Sequence, residues 1–268
     1  MPLGFAVGAY GTLVGAGGGF VLVPVLLLVY PGQSPASLTS VSLAVVFFNA
    51  ASGSAAYARL RRIDYLTGAL FAAATLPGAV GGAYLVSAVP RRTFDMLFGV
   101  VLLGMAAYTL WGAGRTAIVR APLRGRGVIT REMRGEDGTT FRYSYNLWQG
   151  MLYSTGVGFI SSLLGIGGGI IHVPIMITLL RLPVHVAVAT SHFVLMFMSA
   201  AGSGVHVVNG DLAGENLARA LLISAGAVPG AQIGARLAQR VRGAAITRLL
   251  VLALLALGAR LIVAGVMG

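Results

Sequence analysis

Gly15-Ala16-Gly17-Gly18-Gly19, with Pro24 five residues after the triplet, returns as Gly165-Ile166-Gly167-Gly168-Gly169 with Pro174. The displacement is 150 residues for the glycine block and for its proline. Thr39-Ser40 returns as Thr190-Ser191, Ser52-Gly53 as Ser203-Gly204 and Pro77-Gly78 as Pro229-Gly230, the displacement drifting only to 152. Most of each half is therefore related to the other. Glycine clusters repeated inside hydrophobic segments point to a secondary transporter built from two repeats around a central site.

The composition agrees. The hydrophobic fraction is 57% and charged residues are 10% of 268, with a mean hydropathy of +0.86. Ordinary soluble domains are about 45–50% apolar and about a quarter charged, so this chain could not cover a soluble surface. It reads as a polytopic membrane protein. The net charge of +12 resembles a nucleic-acid signature, but its distribution does not. All 19 basic residues are Arg; seven (Arg115, Arg120, Arg124, Arg126, Arg131, Arg134, Arg142) fall in one polar stretch, and most others sit at the ends of apolar runs. That pattern sets topology near anionic lipid. With no Cys, disulfides and thiolate metal sites are excluded.

Apolar runs cover roughly 3–30, 36–58, 66–89, 93–111, 147–180, 184–208, 214–238 and 244–266, each long enough to cross about 30 Å of hydrocarbon. The chain divides into a first membrane repeat at 1–111, an Arg-rich cytoplasmic loop at 112–145 and a second repeat at 146–268. In that loop the alternating tail Thr139-Thr140-Phe141-Arg142-Tyr143 has the pattern of a short hairpin, but a mobile loop is the expectation. The first run of each repeat holds a Gly triplet near its middle. As a single helix 3–30 would be about 42 Å long, too much for one pass and too little for two. A re-entrant pair of half-helices meeting at the triplet fits better, with the loosened backbone facing protein or a water-filled cavity.

Charge extends the argument. The connection Arg59-Leu60-Arg61-Arg62-Ile63-Asp64 of the first repeat is basic, whereas its counterpart Asn209-Gly210-Asp211-Leu212-Ala213-Gly214-Glu215 has no basic residue. The positive-inside rule puts the first in the cytoplasm and the second outside. The expected fold is thus an all-α polytopic membrane protein of two inverted repeats, each a broken or re-entrant first helix plus about three transmembrane helices. Arg91-Arg92 fall on the outer side in this scheme, against the rule.

Two GxGGG blocks each ending in Pro, each followed by Thr-Ser and later by Pro-Gly-Ala (Pro77-Gly78-Ala79 and Pro229-Gly230-Ala231), resemble the TauE/SafE sulfite-exporter family. The resemblance covers nearly the whole chain outside 112–145. It implies a secondary transporter, in the exporting sense, of sulfite or organosulfonate-type anions across the bacterial inner membrane by alternating access. Composition by itself says only a transporter of a small anion, and leaves open an anion channel or a permease for another anion such as sulfate. The expected partners are the sulfur-containing anion, membrane lipids and a second copy of the chain in a homodimer, with no nucleic acid and no cofactor.

A helix N-terminus offers free N–H groups and the positive end of a dipole to an oxyanion. Gly17, Gly18 and Gly19, and Gly167, Gly168 and Gly169, would start second half-helices near mid-membrane and converge there; close helix packing through small residues is the alternative. Thr39, Ser40, Thr190 and Ser191 supply neutral hydroxyl donors, or else bond back to their own helices. Asn49 is either helix-to-helix glue or a ligand contact, as are Ser203 and Gln232. Of His172, His185, His192 and His206, His192 directly follows Thr190-Ser191 and ranks first as a pH-sensitive contact. No two His have the i, i+4 spacing of a metal pair. Ser203 and His206 lack any motif framing an oxyanion hole, so an enzyme is not expected. No carboxylate falls mid-segment to bind Na⁺ or carry protons.

Overall fold

A computed structural model describes residues 1–113, 125–136 and 138–267. Arg115, Arg120, Arg124 and Asp137 lie outside the described residues. The first half comprises α1 (Pro2–Val14), α2 (Gly19–Val29), α3 (Pro35–Arg59), α4 (Tyr65–Leu85, prolonged by a 3-10 turn Val86–Ala88) and α5 (Arg91–Ala113). A hairpin of β1 (Val128–Arg134) and β2 (Thr140–Asn146) follows. The second half repeats the first as α6 (Leu147–Leu164), α7 (Gly169–Thr178), α8 (Val184–Val208), α9 (Gly214–Arg240) and α10 (Gly243–Met267). Among the described residues, six helices (α3, α4, α5, α8, α9 and α10) are long and apolar enough to cross a membrane. The protein is an all-α polytopic membrane protein in its spanning part. The runs 3–30 and 147–180 are each broken in two, as expected.

Local sequence sets the helix starts. Ser34 caps α3, its Oγ accepting the Ser37 N–H at 3.2 Å with Pro35 in the first turn. Asp64 caps α4 and Asn146 caps α6 in the same way, at 3.3 and 3.2 Å. Packing then follows the repeat. α1 lies against α9 and α6 against α4, α3 and α8 pack on each other at the centre, and α5 pairs with α10. The paired Pro-Gly elements explain themselves here: a side chain on Gly230 would collide with the Phe5 carbonyl of α1, and one on Gly78 with the Thr155 carbonyl of α6. Gly226 and Gly234 extend the first contact at four-residue spacing, facing Met1 and Ala9. These are small-residue seams that bring helix backbones close without apolar driving force from lipid.

The two central helices run in opposite directions. Near the start of α3, Ser40 donates to the carbonyl of Asp211 in the α8–α9 connection at 3.2 Å. Near the start of α8, the Thr190 hydroxyl accepts the N–H of Asp64 in the α3–α4 connection at 3.0 Å. The α3–α4 and α8–α9 connections therefore lie at opposite ends of the bundle, here called the Arg61 end and the Asp211 end. Arg91 belongs to the Asp211 end. It pairs with Asp95 at 3.1 Å and donates to the carbonyls of Leu27 and Gln33 at 2.9 and 3.1 Å. Its charge thus completes the C-terminus of α2, which accounts for a basic residue on the poorer side.

The 112–145 segment corrects an expectation. Its described part is not a loop: Val128 pairs with Asn146 and Arg134 with Thr140 in an antiparallel ladder. Two forces fix it. Tyr143 and Tyr145 are buried among Phe71, Leu180, Leu182 and Val186. Asp64, whose side chain is wholly buried, accepts from Arg131 at 2.9 Å and from the Tyr143 hydroxyl at 2.6 Å. Burial raises the Asp64 carboxyl pKa, but the hydrogen bonds from Arg131, Thr67 and Tyr143 outweigh it and hold the group below the usual carboxylate range.

Candidate functional site

Each break is built from the same parts. α1 stops where Gly15 adopts φ 80°, letting the Ala16 N–H return to the Gly11 carbonyl at 2.8 Å. α6 stops at Gly165 with φ 67°, and Ile166 returns to Ser161 at 3.0 Å. Three residues on, Gly18 and Gly168, both at φ 84°, start α2 and α7. The first reversal is tight: Gly18 sits against Val7 and Gly11 of the helix the chain has just left.

The breaks then meet backbone to backbone. A Cβ on Gly19 would lie 2.7 Å from the Gly165 carbonyl oxygen, and one on Gly169 would collide with the Gly15 carbonyl. Gly17 and Gly167 both rest on Val46 of α3 and Leu195 of α8, which close the centre. The sequence-derived triplets are therefore brought together, and all six glycines are buried.

Around this contact three carbonyl oxygens are taken up by side chains, and the N–H groups of both helix starts are left over. Ser42 donates to the Gly165 carbonyl at 2.6 Å, Ser191 to Gly15 at 3.3 Å and the Asn49 amide to Gly17 at 3.0 Å. The Gly18 and Gly168 carbonyls accept the first helical bonds of α2 and α7, from Leu22 and His172. In contrast, the N–H groups of Gly18, Gly19 and Phe20, and of Gly168, Gly169 and Ile170, meet no acceptor among the described residues. The buried Ser161 hydroxyl, also without a partner among the described residues, lies 3.2 Å from where a Gly168 Cβ would stand. The two helix starts thus present N–H donors close together, which suits an anion, while the carbonyls of Ala16, Ile166 and Gly167 likewise meet no donor among the described residues.

The other predicted residues fall into two groups. His192 reaches the break through Thr12. The Thr12 hydroxyl donates to Asn49 Oδ1 at 3.2 Å, so the 3.2 Å contact with His192 Nε2 takes its hydrogen from the imidazole. Tyr57 donates to the Thr12 carbonyl at 2.8 Å and meets the His192 ring edge-on. Thr39, Ser40 and Thr190 instead fasten helix ends. Thr39 abuts Gly165 but donates to Ala36 at 3.0 Å, Ser40 bonds Ser37 and Asp211, and Thr190 holds Asp64. Gln232 is helix glue, donating to the Ser52 carbonyl at 2.8 Å. Ser203 lines an apolar cavity of about 360 Å³ with Phe47, Phe48 and Leu212. His206 turns to Asp211 and Thr39, so it forms no pair with Ser203.

Ser42, Thr12 and Ser161 were not foreseen. The repeat hid two of them, because its displacement matches Ser42 to Phe193 and Ser161 to Gly11, whereas it matches Thr12 to Ser162, another hydroxyl. The available signal was positional: Thr12 and Ser161 lie within four residues of a break, and Ser42 lies two after Thr39-Ser40.

Residues 1–261 match the family model described as Sulfite exporter TauE/SafE. The chain is 31% identical to the probable membrane transporter protein YunE of Bacillus subtilis over 270 residues, covering 98% of this chain and 96% of that protein. It is 27% identical to the probable membrane transporter protein MJ0441 of Methanocaldococcus jannaschii over 205 residues, covering 75% of this chain and 68% of that one. No solved structure matches significantly.

Proposed function

Because the chain belongs to the TauE/SafE family of membrane transporters, we propose that it exports sulfite or an organosulfonate-type anion across the bacterial inner membrane by alternating access. The observation that carries this reading is the meeting of two helix N-termini at the paired breaks. The free N–H groups of Gly18–Phe20 and Gly168–Ile170 lie at two helix N-termini, beside the unpartnered Ser161 hydroxyl. A pyramidal or tetrahedral sulfur oxyanion presents three oxygens that can accept from both termini at once. The same glycines also serve as packing contacts, and the closeness of the breaks supports a single site between the two termini.

The opposed ends of the α3–α4 and α8–α9 connections support a pair of inverted repeats. Arg59, Arg61, Arg62, Arg131, Arg134 and Arg142 gather at the Arg61 end, which supports a cytoplasmic position for it. Val46 and Leu195 between the glycines make a closed centre, consistent with a carrier that must rearrange to release its anion. Proteoliposome flux with sulfite, sulfoacetate, taurine, sulfate and chloride tests the proposal. Saturable sulfite or sulfonate flux at carrier rates is expected; ohmic chloride current would replace the carrier with a pore.

A further inference from the structure

At the Asp211 end a buried imidazole joins the two repeats. His206, near the end of α8, is 0% exposed; its Nδ1 lies 2.8 Å from the Asp211 carboxylate, which is 21% exposed. Its Nε2 lies 3.4 Å from the hydroxyl oxygen of Thr39 on α3. Thr39 is the residue against which Gly165 packs, and its neighbour Ser40 bonds the Asp211 carbonyl.

Hydrogen counting gives this chain of contacts a protonation state. Thr39 has one hydroxyl hydrogen, and the Ala36 carbonyl at 3.0 Å takes it. With that bond kept, the contact with His206 needs a hydrogen on Nε2, while the contact with the Asp211 carboxylate needs one on Nδ1. Both are met by an imidazolium. With one proton fewer, the Thr39 hydroxyl must leave Ala36 to donate to Nε2, so the set of contacts joining α8 to α3 is weaker by about one hydrogen bond. We infer that His206 and Asp211 form a proton-operated gate: a proton taken from water past the part-exposed Asp211 onto the imidazole tightens α8 and its connection against the start of α3, and its return to water loosens them, leaving the Ser40–Asp211 carbonyl bond in place.

The surrounding groups leave this pair to act by itself. From α3 the hydroxyls of Thr39 and Ser40 reach it, and from α9 the Asn216 amide bonds the Asp211 carbonyl at 2.9 Å. The charges nearby are engaged with one another: Glu215 with Arg219, which lies over Tyr30, and Asp95 with Arg91. The opposite end is built differently. There Asp64 is held by Arg131, whose charge does not titrate near neutrality.

The gate rests on the transport reading for its use but not for its measurement. The chain has no Cys, so S203C reports on the cavity beside Leu212 and N209C, in the exposed connection, corrects for thiol titration. The ratio of their labelling rates by an impermeant maleimide is followed from pH about 5 to about 8, the range in which imidazole changes charge. The ratio should rise about five-fold or more as pH increases and the contacts loosen. In the H206Q background it should be flat, and in D211N the rise should move to more acid pH. A flat ratio in the parent, or an unchanged rise in H206Q, overturns the gate. Pyramidal-anion flux measured on the same preparations separates the two ideas. A pH-switched ratio without sulfite or sulfonate flux would retain the gate and remove the proposed substrate, and flux with a flat ratio would do the reverse.

Discussion

The Asn49 amide donates to the Gly17 carbonyl at 3.0 Å while its oxygen accepts from Thr12 at 3.2 Å, so one side chain of α3 fixes where the first half-helix stops. The group is fully buried and both contacts are made to residues flanking the break. Asn49→Leu leaves the Gly17 carbonyl and the Thr12 hydroxyl without it, at about 1–3 kcal/mol for each buried group stranded. Thermal unfolding in detergent should fall accordingly. Asn49→Asp keeps the shape but removes the donor and adds a negative charge near the anion, so binding of sulfite should drop further than stability does. Equal anion affinity in Asn49→Asp and the parent would separate Asn49 from the site.

The two break glycines should differ in tolerance. Gly18 and Gly168 share φ 84°, where an L side chain costs about 1–2 kcal/mol. A Cβ at Gly18 would also lie 2.7 Å from the Val7 carbonyl, whereas at Gly168 it meets Met198 Sδ at 3.0 Å and Ser161 Oγ at 3.2 Å, ends of side chains that can turn away. Gly18→Ala should therefore lose more thermal stability than Gly168→Ala. Gly168→Ala should insert and remain folded yet bind anion at least about ten-fold more weakly, because its methyl stands beside the α7 N–H groups. Gly81→Ala, with only the Phe159 ring at 3.7 Å, is the control and should change neither property.

The sides of the membrane can be read by labelling. D211C and R61C, introduced singly into the Cys-free chain, lie at opposite ends of the bundle. An impermeant thiol reagent should reach them from opposite sides, D211C from outside and R61C from the cytoplasm. Labelling of both from one side would contradict the inverted arrangement.

Acid should leave the hairpin in place until well below neutral pH. The folded Asp64 carboxyl titrates below its unfolded range, so its contribution is complete above the ordinary carboxylate value and fades as pH falls through the lower folded value. Arg131→Gln removes the pairing charge from a buried carboxylate, which costs about 2–4 kcal/mol and should free the hairpin at milder acidity. Hydrogen exchange of Tyr143 and Tyr145 amides against pH measures this; unchanged protection in Arg131→Gln would show that tyrosine burial alone holds the strands.

The duplication, the broken first segments and the opposed connections were legible because glycine blocks and charge runs act locally and repeat. The hairpin was not, because its stability comes from Asp64, Phe71 and Leu182, far away in sequence. The meeting of the glycine triplets was legible in the sequence, and the directions in which the nearby hydroxyls turn were not. Thr39 and Thr190 look like ligand donors in a string, but which way a helical hydroxyl turns depends on neighbours such as Asp64, and only packing reveals them. Conversely, Ser42 holds the Gly165 carbonyl without any hint from the repeat.

The central claim is that the anion sits on the N–H groups at the starts of α2 and α7. Selenite has the charge and pyramidal shape of sulfite and an anomalous scatterer at its centre. Its position in crystals of the full chain can be found without reference to any atomic model. One selenium peak is expected between Gly18 and Gly168, about 4 Å or less from N–H groups of both helix starts, given hydrogen bonds of about 2.7–2.9 Å to its oxygens. A peak in the cavity beside Phe47 and Phe48, or among the arginines of the Arg61 end, with none between the glycines, would contradict it.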